Sequence, residues 1–253
     1  MSEIATAAAT FDYDTAWDDK WDDMKKYGPM SRHVRRVIKK LAGRLSFQTV
    51  MDVGCGQGSL LLELMADFPG ITPHGTDVSA SAVELARRKV PDGEFHVMDL
   101  VTEHVDGKYD LVVCSEVVEH IEDDVSAMRN LHAMTKGHLI ITTVQGRMRR
   151  FEAGEVGHVR NYARNELAEK LRSVGFEIVK VVDWGFPFYS PLYRDFLELT
   201  GSKGTTGEFG TGRRLVATAL YYLFHLNLPV WGDEIFIVAR PAGSGGATSP
   251  AKR

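Results

Sequence analysis

Residues 50–62 read VMDVGCGQGSLLL and join two apolar runs through a glycine-rich stretch. The first run, residues 50–53, predicts a buried β-strand, and the second, which opens at Ser59, predicts a helix. The three glycines between them predict a tight turn with few side chains. Such a turn lets a ligand approach the backbone and its N–H groups. The stretch therefore predicts a site for a nucleotide-like cofactor.

Length and composition favour a globular protein built on this unit. The chain has 253 residues, of which 44% are hydrophobic and 25% charged, and a formal net charge of −4. These values suit one large domain, or a domain with a small accessory part. The pattern along the chain predicts a single domain over residues 1–240, with cap helices at 11–43, a cap insert at 185–230 and a disordered tail at 241–253. The acidic balance argues against a general binder of nucleic acids or anionic membranes.

The cysteines and the apolar segments indicate where the protein works. Cys55 lies in the glycine turn and Cys114 in an apolar strand, which indicates a reducing cytoplasm rather than a disulfide framework. The first ten residues lack the pattern of a signal peptide. The longest apolar run, 215–231, is interrupted by polar residues and shorter than the ~20 residues of a membrane-spanning helix. We expect a soluble, cytoplasmic protein without a transmembrane segment.

Strands and helices alternate along most of the chain. Further strands are predicted at 71–77, 94–99, 109–115, 138–144, 176–183 and 234–239, and further helices at 80–89, 123–134, 166–174 and 213–225. This alternation predicts an α/β fold, a doubly wound, mostly parallel sheet of seven strands.

The two cap segments are rich in aromatic and basic residues. Trp17, Trp21 and Met24 recur at helical spacing, so residues 11–24 predict a lid helix or a wall of the substrate pocket. Ser31 is expected to cap a basic helix with a solvated face: Arg32, Arg35, Arg36, Lys39 and Lys40. Aromatic residues of both segments predict a pocket for a small molecule with apolar or ring character: Tyr13, Trp17, Trp21, Phe186, Phe188, Tyr189 and Tyr193.

The spacing of the glycines bears on the identity of the cofactor. A dinucleotide fold favours G-x-G-x-x-G, but Gly58 comes one residue early and the strand carries an acid, Asp52. An aspartate beside this turn would repel a pyrophosphate and would suit an ammonium group. Asp77 and Asp99 end the next two strands, where carboxylates can accept hydrogen bonds from ribose hydroxyls and from an adenine amino group. Either acid could instead cap a helix, but acids at three successive strand ends favour S-adenosylmethionine (SAM).

These residues carry a family resemblance. The chain resembles class I SAM-dependent methyltransferases over residues 48–240, in the stretches VMDVGCGQG, HGTDVS, FHVMDL, YDLVVCSEVVEHIED and EIFIVARP. The resemblance implies a Rossmann-like sheet whose last strand is antiparallel, and SAM as cofactor. Carried over by position, it implies the following cofactor-binding residues: Asp52, Gly54, Cys55, Gly56 and Gln57 around the methionine moiety, Asp77 and Val78 at the ribose, Asp99 and Leu100 at the adenine, and Ser115 near the sulfonium.

The fourth strand ends in Ser115-Glu116-Val117-Val118-Glu119-His120. If a helical turn begins at Glu116, then Glu116, Glu119 and His120 share one face and could bind a divalent cation. The pattern E-x-x-E-H resembles ubiquinone-pathway O-methyltransferases and small-RNA terminal 2′-O-methyltransferases. In both groups the resemblance implies a magnesium-type metal, held by the two glutamates, the histidine and sometimes a second histidine.

His158, in the stretch GEVGHVRNY, is the candidate for that second histidine. Three interpretations stay open: a metal site of Glu116, Glu119, His120 and His158, a metal-free catalytic base at His158 or His120, and a structural role. The arginines after the fifth strand either form a solvated loop or recognise a phosphate or carboxylate on the acceptor: Arg147, Arg149, Arg150 and Arg160.

The sequence therefore predicts a SAM-dependent methyltransferase of a small-molecule acceptor, most consistent with O-methylation of a diol, sugar or phenol with a histidine base and, in one interpretation, Mg²⁺. Alternatives are RNA 3′-terminal 2′-O-methylation, disfavoured by the acidic balance, N- or C-methylation of a metabolite, and a SAM-binding regulator without turnover. An interfacial helix over residues 217–231 would add a peripheral membrane role. The oligomeric state does not follow from the sequence.

Overall fold

The computed structural model describes residues 22–200 and 208–243. Its helices are α1 (Asp22–Tyr27), α2 (Pro29–Ala42), α3 (Ser59–Asp67), α4 (Ala80–Lys89), α5 (Asp124–Met134), α6 (Glu166–Ser173), α7 (Arg194–Thr200) and α8 (Thr211–Phe224). Its strands are β1 (Thr49–Val53), β2 (Thr72–Asp77), β3 (Glu94–Val97), β4 (Tyr109–Ser115), β5 (Thr135–Val144), β6 (Phe176–Trp184) and β7 (Glu234–Pro241). The predictions for Tyr13, Trp17 and Trp21, for residues 201–207 and for the tail from 244 lie outside the described residues.

The strands form one seven-stranded sheet in the order β3-β2-β1-β4-β5-β7-β6. Strands β1 to β5 pair in parallel, and β7 lies antiparallel between β5 and β6. The predicted α/β fold, its mostly parallel sheet and its antiparallel last strand are confirmed.

Two hydrophobic cores lie on opposite faces of the sheet, because successive strand residues point to opposite faces. Val50 and Leu111 belong to the core that packs under α2, α3, α4 and α8. Their neighbours Met51 and Val112 belong to the core that packs under α5 and α6. Strands buried on both faces read as continuous apolar runs, which is why β1, β4 and β5 were recognisable in the sequence.

Most predicted boundaries lie within two residues of the observed ones, and the larger differences are local. Strand β5 begins at Thr135 and not at 138, because Thr135 already pairs with Tyr109 of β4. Helix α2 begins at Pro29 after Gly28, so the prediction that Ser31 caps it is wrong. Proline suits the first helical position, where its missing N–H leaves no bond unmade. Among the described residues, none of the helices has the length and apolarity that crossing a bilayer would require.

Candidate active site

A cavity of about 1120 Å³ lies at the carboxyl edge of the parallel strands. Asp52 of β1, Asp77 of β2 and Ser115 of β4 line it at adjacent strand ends. Residues of α1, α2, α7 and α8 line it from the other side. This edge is where open α/β sheets bind their ligands.

The glycine turn has the conformation that its sequence requires. Gly54, Gly56 and Gly58 all have positive φ angles, of 74°, 51° and 80°. A Cβ on Gly54 would lie 2.2 Å from Cγ2 of Val117, so glycine is needed there for space as well as for conformation. The backbone N–H of Gly54 donates to the Thr76 carbonyl (2.7 Å), which anchors the turn to β2.

Asp77 holds the other end of the turn. Its Oδ2 accepts a hydrogen bond from the Gly56 N–H (2.8 Å), and its Oδ1 accepts one from the Ser79 N–H (3.0 Å). The helix cap is Ser79, whose Oγ accepts from the N–H of Ala82 (3.1 Å). Asp77 is therefore part of the cavity wall, and the simple helix-cap interpretation of this residue does not hold.

The cavity residues beside the glycine turn include two buried acids, Asp52 and Asp77. Burial raises the pKa of Asp52 to about 8, and the nearby Asp77 carboxylate contributes in the same direction. Burial also raises the pKa of Asp77, against the hydrogen bonds from Ser79 and Gly56. Gln57 is 3% exposed, and its Oε1 has no hydrogen-bond donor among the described residues. Unpaired buried acceptors of this kind suit a ligand with a cationic N–H donor.

The adenine and ribose positions of the resemblance lie along the same cavity. Val78, Asp99 and Leu100 all line it. Asp99 is exposed, and its Oδ1 accepts from the Val101 N–H (2.9 Å). Cys55 lines it too, and burial raises the pKa of its thiol, so this cysteine contributes packing and not a reactive thiolate.

Glu116 differs from its predicted placement. It has a φ angle of 57°, in the left-handed region that is costly for a residue with a side chain. The helical turn begins later, at Val118–His120, so Glu116 does not share a helix face with Glu119 and His120. Its carboxyl group instead contacts that of Glu234, and burial together with the Glu119 charge raises the pKa of Glu116 to about 7. The two carboxyl groups can make this contact when one of them keeps a proton.

Three of the four residues of the predicted metal site come together. Glu119, His120 and His158 each offer a ligand atom, and these atoms lie within 4.8 Å of one another. Glu119 is fully buried: Thr143 Oγ1 donates to its Oε2 (2.7 Å), and its Oε1 has no partner among the described residues. Burial raises the pKa of Glu119 to about 7. The His120 and His158 rings meet edge to face, with centroids 4.9 Å apart.

Hydrogen bonds select the tautomer of both histidines. Nδ1 of His120 lies 3.1 Å from the Gly157 carbonyl oxygen, which can only accept, so Nδ1 carries the proton. Nδ1 of His158 lies 3.3 Å from Oδ1 of Asn161, whose Nδ2 donates to Oε2 of Glu152 (2.9 Å). In both neutral rings the lone pair is consequently on Nε2. Burial lowers the pKa of His158 to about 3, so this ring is neutral at physiological pH.

A buried ion network supports the loop that carries His158. Arg194, which is 1% exposed, pairs with Glu152 and Asp233. Arg149 is 6% exposed and binds Asp195 (2.7 Å) and Asp233 (3.4 Å). Because its guanidinium is used inside the protein, Arg149 is neither a solvated residue nor available to an acceptor, and both predictions for it are wrong.

The cavity wall opposite the sheet corrects other predictions. Tyr189 and Tyr193 line it as expected, but Phe188 packs into the hydrophobic core and Phe186 packs against Trp231. The prediction that Arg35 lies on a solvated face is wrong: Arg35 is 9% exposed, lines the cavity, and donates from Nε to Glu63 (2.6 Å).

Lys25 is a cavity residue for which the sequence offered no signal. It lines the cavity from α1, where burial lowers its pKa and the Glu116 carboxylate acts in the opposite direction. Glu234 was missed as well, since it reaches the site only through the pairing of the distant strands β5 and β7. Asn161 was also missed, although it lies only three residues after His158 in the same loop.

Comparisons with known proteins indicate the family of this chain. A protein-family model described as a methyltransferase domain matches residues 25–181. The ubiquinone biosynthesis O-methyltransferase of Bordetella bronchiseptica is 33% identical over 149 residues, which cover 54% of this chain and 61% of that protein. The protein of the same name from Acinetobacter baylyi is 26% identical over 202 residues, 70% of this chain and 83% of that protein. The chain thus spans about three fifths of the length of the Bordetella relative.

Solved structures match the fold at low sequence identity. The N-methyltransferase NodS of Bradyrhizobium japonicum, in complex with S-adenosyl-L-homocysteine, superposes with a TM-score of 0.56 at 16% identity, covering 94% of this chain and 96% of that one. An O-methyltransferase from a trans-AT polyketide synthase multienzyme of Brevibacillus brevis, in complex with the same product, gives a TM-score of 0.58 at 16% identity, covering 85% and 74%. Because the family model alone spans more than half of the chain, this protein belongs to the methyltransferase-domain family, and its sheet has the Rossmann-like fold of class I SAM-dependent methyltransferases.

Proposed function

We propose that this methyltransferase transfers the methyl group of SAM to a hydroxyl oxygen of a small acceptor with apolar or ring character. The observation that supports an oxygen acceptor is the group of Glu119, His120 and His158 in the cavity. A hydroxyl must lose its proton as its oxygen is methylated, so it needs a base beside the methyl donor. The ubiquinone O-methyltransferase relatives add support for oxygen.

The cofactor contacts in this proposal follow the cavity wall. Asp52, Gly54, Cys55, Gly56 and Gln57 hold the methionine moiety, Asp77 and Val78 the ribose, Asp99 and Leu100 the adenine, and Ser115 lies nearest the sulfonium. The buried acid at Asp52 and the unpaired Oε1 of Gln57 support a cationic methionine end.

The pKa values distinguish the roles of the three polar residues. During transfer the acceptor oxygen forms a bond to the methyl carbon while the methyl–sulfur bond breaks, and the acceptor proton passes to the protein. Glu119, with a pKa of about 7, is suited to take that proton at neutral pH. His158, with a pKa of about 3, is a weak base and is better suited to accept a hydrogen bond at Nε2 or to ligate a cation. We therefore assign His158 and His120 to orienting the hydroxyl.

The same three residues fit a divalent cation. Oε1 of Glu119 is buried and has no partner among the described residues, so a proton or a cation bound to it would stabilise it. In both histidines the lone pair that could bind a cation is on Nε2. Two imidazoles and one carboxylate suit a transition metal such as Mn²⁺ or Zn²⁺ better than Mg²⁺, which favours oxygen ligands. A cation held there would supply Lewis-acid chemistry that makes a nearby hydroxyl more acidic.

A product assay tests the proposed function. The full chain is incubated with SAM and panels of catechols, phenols, diols and amines, and S-adenosylhomocysteine and methylated products are measured. We expect methyl ethers. We expect His158→Gln, which changes a residue assigned to orienting the hydroxyl, to lower kcat on the order of 100-fold while the Kd for SAM stays unchanged. His138→Gln, in β5 and away from the cavity, is the matched control. Methylated amines as the main product would assign nitrogen, and SAM binding without any product would assign a regulator.

Metal content needs a separate measurement. Equilibrium dialysis against Mn²⁺ or Zn²⁺, followed by elemental analysis, should give one ion per wild-type chain and none for Glu119→Gln. If both proteins bind the same amount, and chelator-treated enzyme keeps full turnover, the metal-free base is the correct interpretation.

Two further assignments complete the proposal. We propose a small-molecule acceptor rather than RNA, supported by the net charge of −4 and by the cavity of about 1120 Å³. Salt-sensitive binding of short RNA would revive the alternative. We also propose a cytoplasmic location, supported by two buried cysteines that are both free thiols.

A further inference from the structure

Helix α8 and the loop after it present apolar side chains to solvent. The apolar face consists of Leu215, Val216, Tyr222, Leu223, Leu226 and Trp231, each 38% to 69% exposed. Leu215, Tyr222 and Leu226 follow one another at helical spacing and form a stripe. Ala217 and Phe224, on the opposite side of the helix, are buried against the protein. A helix that is apolar on both sides needs a second covering surface.

A basic pocket of about 270 Å³ adjoins this face. It is lined by five cations, one acid and one aromatic residue: Lys26, Arg32, Arg35, Arg36, Lys39, Glu63 and Tyr221. Glu63 is already neutralised by Arg35 (2.6 Å) and Lys39 (3.1 Å). Across the described part of the chain, no carboxylate forms an ion pair with Lys26, Arg32 or Arg36. The pocket therefore keeps excess positive charge.

Tyr221 joins the pocket to the apolar face. It belongs to α8, next to Tyr222 in the stripe, and its ring carries the Arg32 guanidinium at 3.6 Å from the centroid. Arg213 and Arg214 lie at the start of the same helix, and Arg214 pairs there with Asp23 of α1 (3.7 Å). Residues 209–232 contain no aspartate or glutamate, although the chain as a whole has a net charge of −4. An apolar stripe bordered by cations and aromatic rings is the pattern of an interfacial helix.

We propose that the apolar face and the basic pocket dock on the surface of a bilayer that contains anionic lipids. The net charge argues against general binding to such surfaces, but the charge here is local and positive. A second copy of the chain is a poorer occupant, because pairing this patch with itself would bring cations against cations. Anionic headgroups supply the opposite charge, and acyl chains cover the stripe.

The docked orientation would bring the cavity mouth to the lipid. Val216 and Phe196 are 61% and 57% exposed, and both also line the cavity. An acceptor dissolved in the bilayer could pass between them without crossing water. This consequence rests on the proposed function, whereas the docking itself does not.

Vesicle flotation with the full chain tests the proposal. Vesicles of phosphatidylcholine alone are compared with vesicles that contain about one third phosphatidylglycerol. We expect the wild-type chain to float with the anionic vesicles and to be released by salt. Lys26→Ala combined with Arg32→Ala should weaken the partition on the order of 20-fold, since each cation near the surface contributes about fivefold. Leu215→Ser, Leu226→Ser and Trp231→Ser combined should abolish it.

Matched controls keep the test independent of folding and of catalysis. Val179→Ser combined with Val181→Ser removes two exposed apolar side chains from β6, 49% and 45% exposed, and should leave flotation unchanged. SAM affinity, measured by calorimetry, should be the same in all variants, because none of the substituted residues lines the cavity. If the wild-type chain does not bind SAM, that result contradicts the proposed function and not the docking proposal.

Two results would overturn the docking proposal. One is a wild-type chain that stays unbound with anionic vesicles. The other is a triple serine variant that floats as well as the wild type. In either case, sedimentation equilibrium identifies what covers the apolar face. If the wild type is a dimer and the triple serine variant is a monomer, a second copy of the chain covers the face. If the wild type is a monomer, another part of the same chain covers it.

Discussion

Asp52 is a buried carboxyl group at the end of β1, and its pKa is raised to about 8 by burial and by Asp77. The positive charge of bound SAM favours the ionised form, so binding at pH 7 should release a proton. We expect SAM affinity to rise with pH up to about 8 and to level off above it, because the ionised form then predominates in the free protein. Calorimetry in buffers of different ionisation enthalpy measures the proton release. Asp52→Asn should abolish the proton release. A SAM affinity that falls as the pH rises would contradict the assignment of Asp52 to the SAM site.

Gly54 shows a steric requirement at a single residue. Gly54→Ala must adopt a φ angle of 74° and place its Cβ 2.2 Å from Val117, so we expect it to lower the free energy of unfolding by about 3 kcal/mol. Gly70→Ala has a similar φ angle, 88°, and no atom within 4 Å of the new Cβ, so it should cost about 1 kcal/mol. Urea denaturation measures both. If the clash with Val117 causes the effect, adding Val117→Ala to Gly54→Ala should restore part of the lost free energy of unfolding.

At the scale of elements, buried charge holds α7 against the rest of the protein. Arg194 at the start of α7 pairs with Glu152 and with Asp233, which lies next to β7. Arg194→Met leaves the buried Glu152 without its cation and leaves Asp233 with only its longer contact to Arg149 (3.4 Å), and we expect it to lower the free energy of unfolding by about 3 kcal/mol. Arg150→Met is the matched control: the Arg150 side chain is 87% exposed and pairs only at the surface, with Glu198. It should change stability by less than about 1 kcal/mol, and equal effects of the two substitutions would argue against the buried network.

Asp110 of β4 accepts hydrogen bonds from the N–H groups of Gln48 and Thr49 and so connects β4 to the start of β1. Burial alone would raise its pKa, but hydrogen bonds from Gln48, Lys136 and Thr49 lower it to about 2. Because the folded-state pKa lies below the unfolded value of 3.8, the stabilisation is present above pH 4 and is lost as the pH falls toward 2. We expect about 2 kcal/mol in that window. Thermal unfolding of Asp110→Asn across this range should show a weaker pH dependence than the wild type.

At the scale of the whole molecule, the candidate site joins parts that are distant in the chain. The cavity is lined by strand ends, by α1 and α2 near the start of the chain, and by α7 and α8 near its end. A ligand that binds only this folded arrangement stabilises it by about 2.7 kcal/mol at a hundredfold excess over Kd. We expect saturating SAM to raise the Tm by roughly 5 °C, since the chain is long and each kcal/mol shifts Tm by about 2 °C. Asp77→Ala should remove most of the shift seen in differential scanning fluorimetry, and an NAD-induced shift in place of the SAM shift would contradict the cofactor assignment.

The local sequence was sufficient for the sheet and for the turn. Strands β1, β4 and β5 are continuous apolar runs because both sheet faces are covered, and the turn after β1 requires glycine at Gly54. These are short-range properties, readable from neighbouring residues. Acids at successive strand ends could also be assigned to one edge, because parallel strands end on the same side. The roles of the aromatic residues 186 to 193 did not follow from the local sequence: Tyr189 belongs to the core and also lines the cavity, whereas its neighbour Phe188 packs on the core without lining the cavity.

The sequence by itself determined the α/β class, the glycine turn and the acidic strand ends, because each follows from side-chain periodicity and backbone conformation within a few residues. Only the tertiary structure decided which polar groups meet: Glu116 with Glu234, Arg194 with Glu152, and Arg149 with Asp195. Such pairs join residues from segments that pack together only after folding. Burial then changes their pKa values, and burial is a property of the whole fold and not of any local stretch.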